Sequence, residues 1–412
     1  MLRRCIAIDP DVFAREHWDR SPLLSRAEAL PRGFDDLLSP ATVDELIAER
    51  GVRAPFIRMA RDGSLLTRDC YVGPAGFGAE MPDQVDSAKV LGQFAAGATI
   101  VLQGLHRLWP PVIDLVRGLV DDLGHPVQAN AYVTPPSNRG FDLHYDVHDV
   151  FVLQVSGAKH WTIHEPVHVH PLGSQPWTAH RDAITARAAD EPVIDTVLHP
   201  GDALYLPRGW VHSARALGTT SIHLTIGTAP LTAFDIVGAL VEQLADIPGL
   251  RESLPMGIDL TDRADISALV GKVMSTAMEV IGERSSDLEC AAADALARGY
   301  ADRTRPIPVR PLATLAAISA GDALVPVRWR RGLVASVAES GGRVELRFAD
   351  RTIGFPGFCA DAVRAVHGGS VVGADRLPGL DAADGAVLIR RLLREAVVVP
   401  AESLPPQTPG AA

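Results

Sequence analysis

Lysine is nearly missing from this 412-residue chain: Lys89, Lys159 and Lys272 are the only three among 39 basic residues. A lysine placed near a chemically suggestive motif is therefore informative here. Cysteine is scarce too, and Cys5, Cys70, Cys290 and Cys359 stand alone with no CxxC pair. That excludes a cysteine-built zinc site or dithiol motif and predicts reduced thiols in a reducing compartment. No run of about 18 apolar residues exists, and Met1–Pro10 lacks the long apolar segment of a secretion signal, so the expectation is a cytoplasmic protein with no membrane role. Positive charge is also short. A net charge of −11 argues against a general nucleic-acid binder, because phosphate contacts need a basic surface, and is compatible with a basic partner.

What is present describes a globular protein of two or three domains, with 47% hydrophobic and 22% charged residues. Short helices with proline punctuation are predicted over residues 1–65, among them 13–18 and a capped helix after Ser39-Pro40. Residues 84–120 carry apolar residues at helical spacing, broken by a short strand at 98–103. From Pro126 to about Thr228 the pattern becomes short apolar runs separated by turns: 128–133, 141–147, 150–155, 160–163, 193–198, 203–206 and 221–226. Seven or so such strands point to an antiparallel sandwich or barrel, whose mouth can gather inward side chains.

Beyond it, Thr232-Ala-Phe-Asp235 opens a helix with a capping-box pattern, and helices over 231–300 read as a small separate domain with faces suited to pairing between subunits. Met274 and Met278 there read as core or interface packing. Residues 303–311 resemble a linker. Strand-like runs at 323–328, 332–337 and 343–348, a helix at 357–367, a turn at Gly368-Gly369 and a helix at 381–394 leading into Val397–Val399 suggest a winged-helix-like module. The proline-rich tail from Ser403 is expected to be disordered.

The chemistry concentrates in Gly140-Phe-Asp-Leu-His-Tyr-Asp146. On a strand, residues two apart share a face, so His144 and Asp146 can present an imidazole and a carboxylate to one point. Downstream, Gly201-Asp-Ala-Leu-Tyr-Leu-Pro-Arg-Gly-Trp-Val-His212 reads as turn, apolar strand, second turn and inward ligand. Two imidazoles and one carboxylate on one face leave the opposite coordination positions open, which suits non-haem Fe(II) with a co-substrate and O₂. A lone HxD is common by chance; the spaced Gly/Pro/Gly/His212 pattern is what raises it. His148 shares the parity of the pair but is carried about 6.6 Å beyond Asp146 by the strand rise, and reads as pocket lining. The irregularly spaced His160, His164, His168, His170 and His180 read as solvated loop histidines rather than a second metal site. Arg139 and Arg208 read as solvated turn residues before substrate contacts, Trp161 as core, and His223 and Thr225 as either pocket lining or satisfied core.

The segment from Asn130 to Trp161, with Asn130, Tyr132, His144, Asp146 and Lys159 in place, closely resembles the signature of the JmjC-type ribosomal oxygenases of the cupin superfamily. Trp18-Asp-Arg-Ser-Pro-Leu-Leu24 and the order of the domains extend the likeness. The resemblance implies an α+β chain with a double-stranded β-helix (jelly-roll) core and flanking helices over 1–230 (barrel about 126–228), a helical dimerisation domain over 231–305, a winged-helix-like domain over 306–400 and a disordered tail over 401–412. It implies His144, Asp146 and His212 as iron ligands, Lys159 as the partner of the distal carboxylate of 2-oxoglutarate, and Asn130 and Tyr132 near co-substrate and substrate. The implied activity is Fe(II)- and 2-oxoglutarate-dependent hydroxylation of a histidine or arginine in a ribosomal or other basic protein by a homodimer. Three other readings stay open: the same chemistry on a biosynthetic peptide or small molecule, lysine demethylation, and a non-catalytic cupin-like binding protein. A winged-helix DNA-binding regulator is disfavoured by charge.

Overall fold

A computed structural model describes residues 1–61, 63–136, 138, 142–319, 325–348 and 350–401. Arg139 and the tail beyond Ala401 lie outside them. The chain divides into two compact units, Met1–Leu231 and Thr232–Ala412.

The first unit is built on one nine-stranded sheet. Its strands are β1 (Leu23–Ser25), β2 (Ile57–Arg61), β3 (Ser64–Leu65), β4 (Thr99–Leu102), β5 (Val127–Thr134), β6 (Asp149–His164), β7 (Ile194–Leu198), β8 (Ala203–Leu206) and β9 (Val211–Thr228). The order is β1-β8-β6-β9-β5-β4-β2-β3 with β7 also on β6, and every pairing is antiparallel. The first half of β6 pairs with β8 and its second half with β7, so this strand passes from one layer of the barrel to the other. Gly157 makes the passage possible: its φ is +64°, and a Cβ there would stand 2.2 Å from the Thr220 carbonyl oxygen. The two runs expected at 150–155 and 160–163 are therefore one bent strand.

The run expected as a strand at 141–147 is not one among its described residues. It touches the sheet through a single bridge, His144 to His212. Alternation still holds locally, since Tyr145 is buried against Ile184 and Val211 while its neighbours His144 and Asp146 face the other way.

Both faces of the barrel strands are apolar, as expected of strands covered on both sides. One face, with Val150, Val152, Trp161 and Leu204, points inward. On the other, Phe151 lies opposite Tyr205 in the ladder, their ring centroids 4.9 Å apart, and Phe13 of the helix Pro10–Glu16 adds a third ring 4.9 Å from Tyr205. The Trp18–Leu24 segment then closes the edge, with Trp18 stacked on Tyr205 and Leu23–Ser25 pairing with β8. Phe151→Ala should cost about 3–5 kcal/mol of unfolding free energy, as large cavities in aromatic cores do. Denaturant unfolding checks this, and a loss below about 1 kcal/mol would show that the three rings do not anchor the barrel.

The second unit begins with the helix Ala233–Gln243, whose Thr232 and Asp235 form the expected capping box, followed by the long helices Arg263–Glu283 and Ser285–Thr304. Val270, Val273, Met274 and Met278 are exposed, so in the single chain the methionines are not core. A helix, Pro311–Ser319, follows the expected linker. Three antiparallel strands, Ser336–Ser340, Arg343–Arg347 and Thr352–Pro356, pack with the helices Ala360–His367 and Ala382–Arg394 around Val344, Leu346, Val363, Ile389 and Leu392. Val398–Pro400 pairs with Val327–Trp329. The strand at 352–356 was not expected from the pattern, because glycine and proline flank its apolar positions Ile353 and Phe355.

Candidate metal centre

Three residues from two separate stretches meet at the barrel mouth. The side-chain ligand atoms of His144, Asp146 and His212 all lie within 4.8 Å of one another. The Asp146 carboxylate is 3.8 Å from Nε2 of His144 and 3.8 Å from Nε2 of His212. Local folding explains the meeting. His144 and His212 exchange both backbone hydrogen bonds, at 3.2 and 2.8 Å, which sets their side chains side by side. One turn earlier, Gly209 donates its N–H to the Asp146 carbonyl at 2.9 Å, at a φ of +86° and with no room for a Cβ against the His168 carbonyl. The glycine of the Pro-x-Gly turn thus fastens the strand that carries His212 to the loop that carries Asp146.

Both imidazoles are held in one tautomer. Nδ1 of His144 is 2.6 Å from the Asp142 carbonyl oxygen and Nδ1 of His212 is 3.0 Å from that of Trp210. A carbonyl only accepts, so each Nδ1 carries the proton and each Nε2 turns a lone pair to the centre. Burial also drives the His212 pKa down to about 4, keeping it neutral. At Asp146 burial works against ionisation, but the neighbouring His148, His144 and His212 rings and the Arg58 guanidinium outweigh it and hold the carboxyl below the usual range. Two neutral nitrogens and one carboxylate fit a divalent transition metal of intermediate softness with open positions. Among the described residues, no second group of this kind exists. Of the histidines expected in solvated loops, His160 sits on β6 beside Asp195, His170 pairs with Asp19 and His168 stacks on His180, whereas His164, at the end of β6, is 4% exposed and so neither solvated nor in a loop.

The centre opens into a cavity of about 220 Å³. Tyr132 and Lys159 line it with the three, whereas Asn130 does not: its amide oxygen accepts from the Gly104 N–H at 3.0 Å. Lys159 is 4% exposed and donates to Thr134 Oγ1 at 3.3 Å, with no carboxylate in reach among the described residues. Burial alone pulls its pKa down to about 7. An ammonium held in a dry pocket without an anion is a place where a ligand carboxylate would gain most. His223, stacked at 5.0 Å on Tyr132, and Thr225 line the same cavity, so of the two readings given for them the lining one holds.

Further placements differ from the sequence reading. His148 does not line the cavity, because the segment before it is not a strand and parity does not carry through. Arg208 is neither solvated nor at the cavity: it is buried, 2.6 Å from Asp19 and 3.7 Å from Asp149. Arg58 and Trp177 line the cavity but carry no motif or spacing that would announce them.

Residues 114–236 match the family model described as the JmjC domain. Ribosomal oxygenase 1 of Gallus gallus is 27% identical over 338 residues, covering 78% of this chain and 53% of that protein. Its Homo sapiens counterpart is 30% identical over 220 residues, 53% of this chain and 32% of that one. The bifunctional lysine-specific demethylase and histidyl-hydroxylase NO66 of Aedes aegypti is 27% identical over 256 residues, 60% and 38% of the two chains. The chain thus spans about half, or less, of these relatives. In fold it is similar to the Escherichia coli ribosomal oxygenase YcfD, with a TM-score of 0.54 at 17% identity over 95% of this chain and 98% of that one. YcfD in complex with cobalt and 2-oxoglutarate gives 0.52 at 16% over 96% and 98%. Residues 114–236 thus match the JmjC domain model, and the chain is similar in sequence to ribosomal oxygenase 1 and in fold to YcfD.

Proposed function

We propose that this chain is an Fe(II)- and 2-oxoglutarate-dependent oxygenase that hydroxylates a histidine or arginine side chain of a ribosomal protein. The observation that carries the reading is the single cavity holding a tautomer-fixed His144–Asp146–His212 set at one end and the unpaired ammonium of Lys159 within. The names of the relatives supply the ribosomal substrate class, and cobalt with 2-oxoglutarate in YcfD supports the ligand pair.

His144, Asp146 and His212 would hold the metal, and bound Fe(II) with O₂ and 2-oxoglutarate supplies oxidation of an unactivated C–H, giving the alcohol, succinate and CO₂. The chain's part is placement. Lys159 holds the distal carboxylate, and Thr134, which accepts from both Lys159 and Thr99, fixes the lysine's head. Tyr132, Trp161 and His223 wall the cavity against water, which strengthens every charge interaction in it. Burial raises the Tyr132 pKa, so the phenol stays protonated and available as a donor.

The same reading extends to the rest of the chain. The exposed Val270, Val273, Met274 and Met278 of helix Arg263–Glu283 support a helical dimerisation domain over 231–305, and the helices and strands over 306–400 support a winged-helix-like module used for protein contact. An acidic chain suits a basic ribosomal partner, and the cytoplasm is the compartment that ferrous iron and free thiols require. Purified protein supplied with Fe(II), ascorbate, 2-oxoglutarate and total ribosomal protein of the host should release succinate and add 16 Da to one protein. Succinate no higher than in the iron-free control would count against the proposal.

A further inference from the structure

The Trp18–Leu24 motif does more than close the edge of the sheet. Asp19, its second residue, sits at a φ of +59°, a left-handed conformation that aspartate and asparagine tolerate better than most residues. Its N–H donates to the Tyr205 hydroxyl at 2.9 Å, and its carboxylate meets Arg208. The contact is a fork: Arg208 Nη1 lies 2.6 Å from Asp19 Oδ1, and Nη2 donates to Oδ2 at 3.3 Å. Asp149, fully buried, accepts the backbone N–H of Arg208 on Oδ1 at 2.9 Å and holds Oδ2 3.7 Å from the guanidinium. The buried guanidinium thus has its close carboxylate at Asp19.

The two residues after Arg208 each touch a candidate ligand. Gly209 donates to the Asp146 carbonyl, and the Trp210 carbonyl accepts from Nδ1 of His212. Whatever fixes Arg208 therefore fixes the supports of two ligands out of three. We propose that Asp19 is a positioning residue for the metal centre: by clamping Arg208 it holds the Pro207–Trp210 turn, and through that turn it holds Asp146 and His212 in the ligating arrangement. This rests on the metal-binding reading above and adds the N-terminal motif to that site. Asp19 does not line the cavity, so it acts on geometry and not on the reacting atoms. The need for a clamp follows from the fold. Asp146 belongs to a stretch joined to the sheet by one bridge at His144, not by a ladder, so few bonds set where its carboxylate stands. Loosening one of them widens the range of ligand positions and weakens metal binding.

The test titrates the full metal-free chain with Co(II), whose visible absorption reports both affinity and ligand geometry, with far-UV circular dichroism recording the fold of each variant. Asp19→Asn keeps the left-handed backbone and the side-chain shape but removes the charge. It should weaken Co(II) binding by about 10–100-fold, the range for groups that orient a ligand, and alter the absorption envelope. His170→Ala removes the exposed partner of Asp19, and should leave the affinity within about twofold of wild type. Arg208→Lys keeps the charge without the fork and should cost about tenfold by itself, which tests the inference even where Asp19→Asn does not fold. In the Arg208→Lys background Asp19→Asn should add about threefold or less, because the fork is already gone. A merely structural Asp19 would lower the melting temperature and leave the Co(II) affinity and spectrum of the folded protein as in wild type. That result, or equal losses from Asp19→Asn in both backgrounds, overturns the inference and leaves the oxygenase reading standing. A wild-type Co(II) affinity untouched by His144→Ala fails that reading, and this inference with it.

Discussion

His144→Ala is expected to lower succinate release by more than about a hundredfold while the barrel stays folded. The expectation separates chemistry from scaffold. The His144 side chain is only partly buried, at 20% exposure, and what it contributes to the fold is its backbone, which keeps both hydrogen bonds to His212 in the variant. Losing a ligand outright should exceed the 10–100-fold typical of losing a group that merely orients one. Asp146→Ala should match it. The check is turnover beside a thermal unfolding scan without metal: lost turnover with a melting temperature within a few degrees of wild type is the expected pair. Retained turnover would mean that the metal is held elsewhere.

Lys159→Met carries the second large effect, and its two halves point in opposite directions. The variant should lose affinity for 2-oxoglutarate by about a hundredfold or more, because the carboxylate partner is gone from a dry pocket where charge-assisted hydrogen bonds are strong. Yet without ligand it should be more stable than wild type. A lysine with a folded pKa near 7 against an ordinary 10.5 binds its proton less well folded than unfolded, so the charged form is a cost to the native state. Between pH 7 and 10.5 the unfolded chain holds more protons at this site. Wild-type stability should therefore gain from this residue as pH rises through that window, with the cost full below pH 7. In Lys159→Met that contribution vanishes. Denaturant unfolding at several pH values, with and without 2-oxoglutarate, checks both halves. An unchanged co-substrate affinity would remove Lys159 from the site.

These two substitutions act on residues that are legible in the sequence, and the reasons are instructive. His144 and Asp146 are two apart, and His212 ends a run whose proline and glycine mark a turn, so local rules place all three. They reach the right face, although the carrier is a single bridge rather than the expected strand, because His144 and His212 form the bridge and the glycine turn docks on Asp146. Lys159 is legible through its rarity and through the family likeness. The strands of the barrel read well where alternation or apolar runs are long. Where one strand bends at Gly157, the glycine looks like a boundary and is instead a joint.

What escaped reading has a common cause. Arg58 and Trp177 enter the cavity from β2 and from the turn at 177–180, far along the chain from the motifs, and only the tertiary fold brings them in. Asn130 fails for a complementary reason. It shares strand parity with Tyr132 and Thr134, but its carboxamide caps the Gly104 N–H beyond the end of the cavity. Parity fixes a face, not a depth along it.

The most direct measurement is an anaerobic crystal structure of the protein with Mn(II) and 2-oxoglutarate, read by anomalous scattering. A single peak in ligating contact with His144 Nε2, the Asp146 carboxylate and His212 Nε2, with the distal carboxylate of 2-oxoglutarate on Lys159 Nζ, is the predicted result. A metal bound away from those three side chains, or a co-substrate that leaves Lys159 uncontacted, would contradict it.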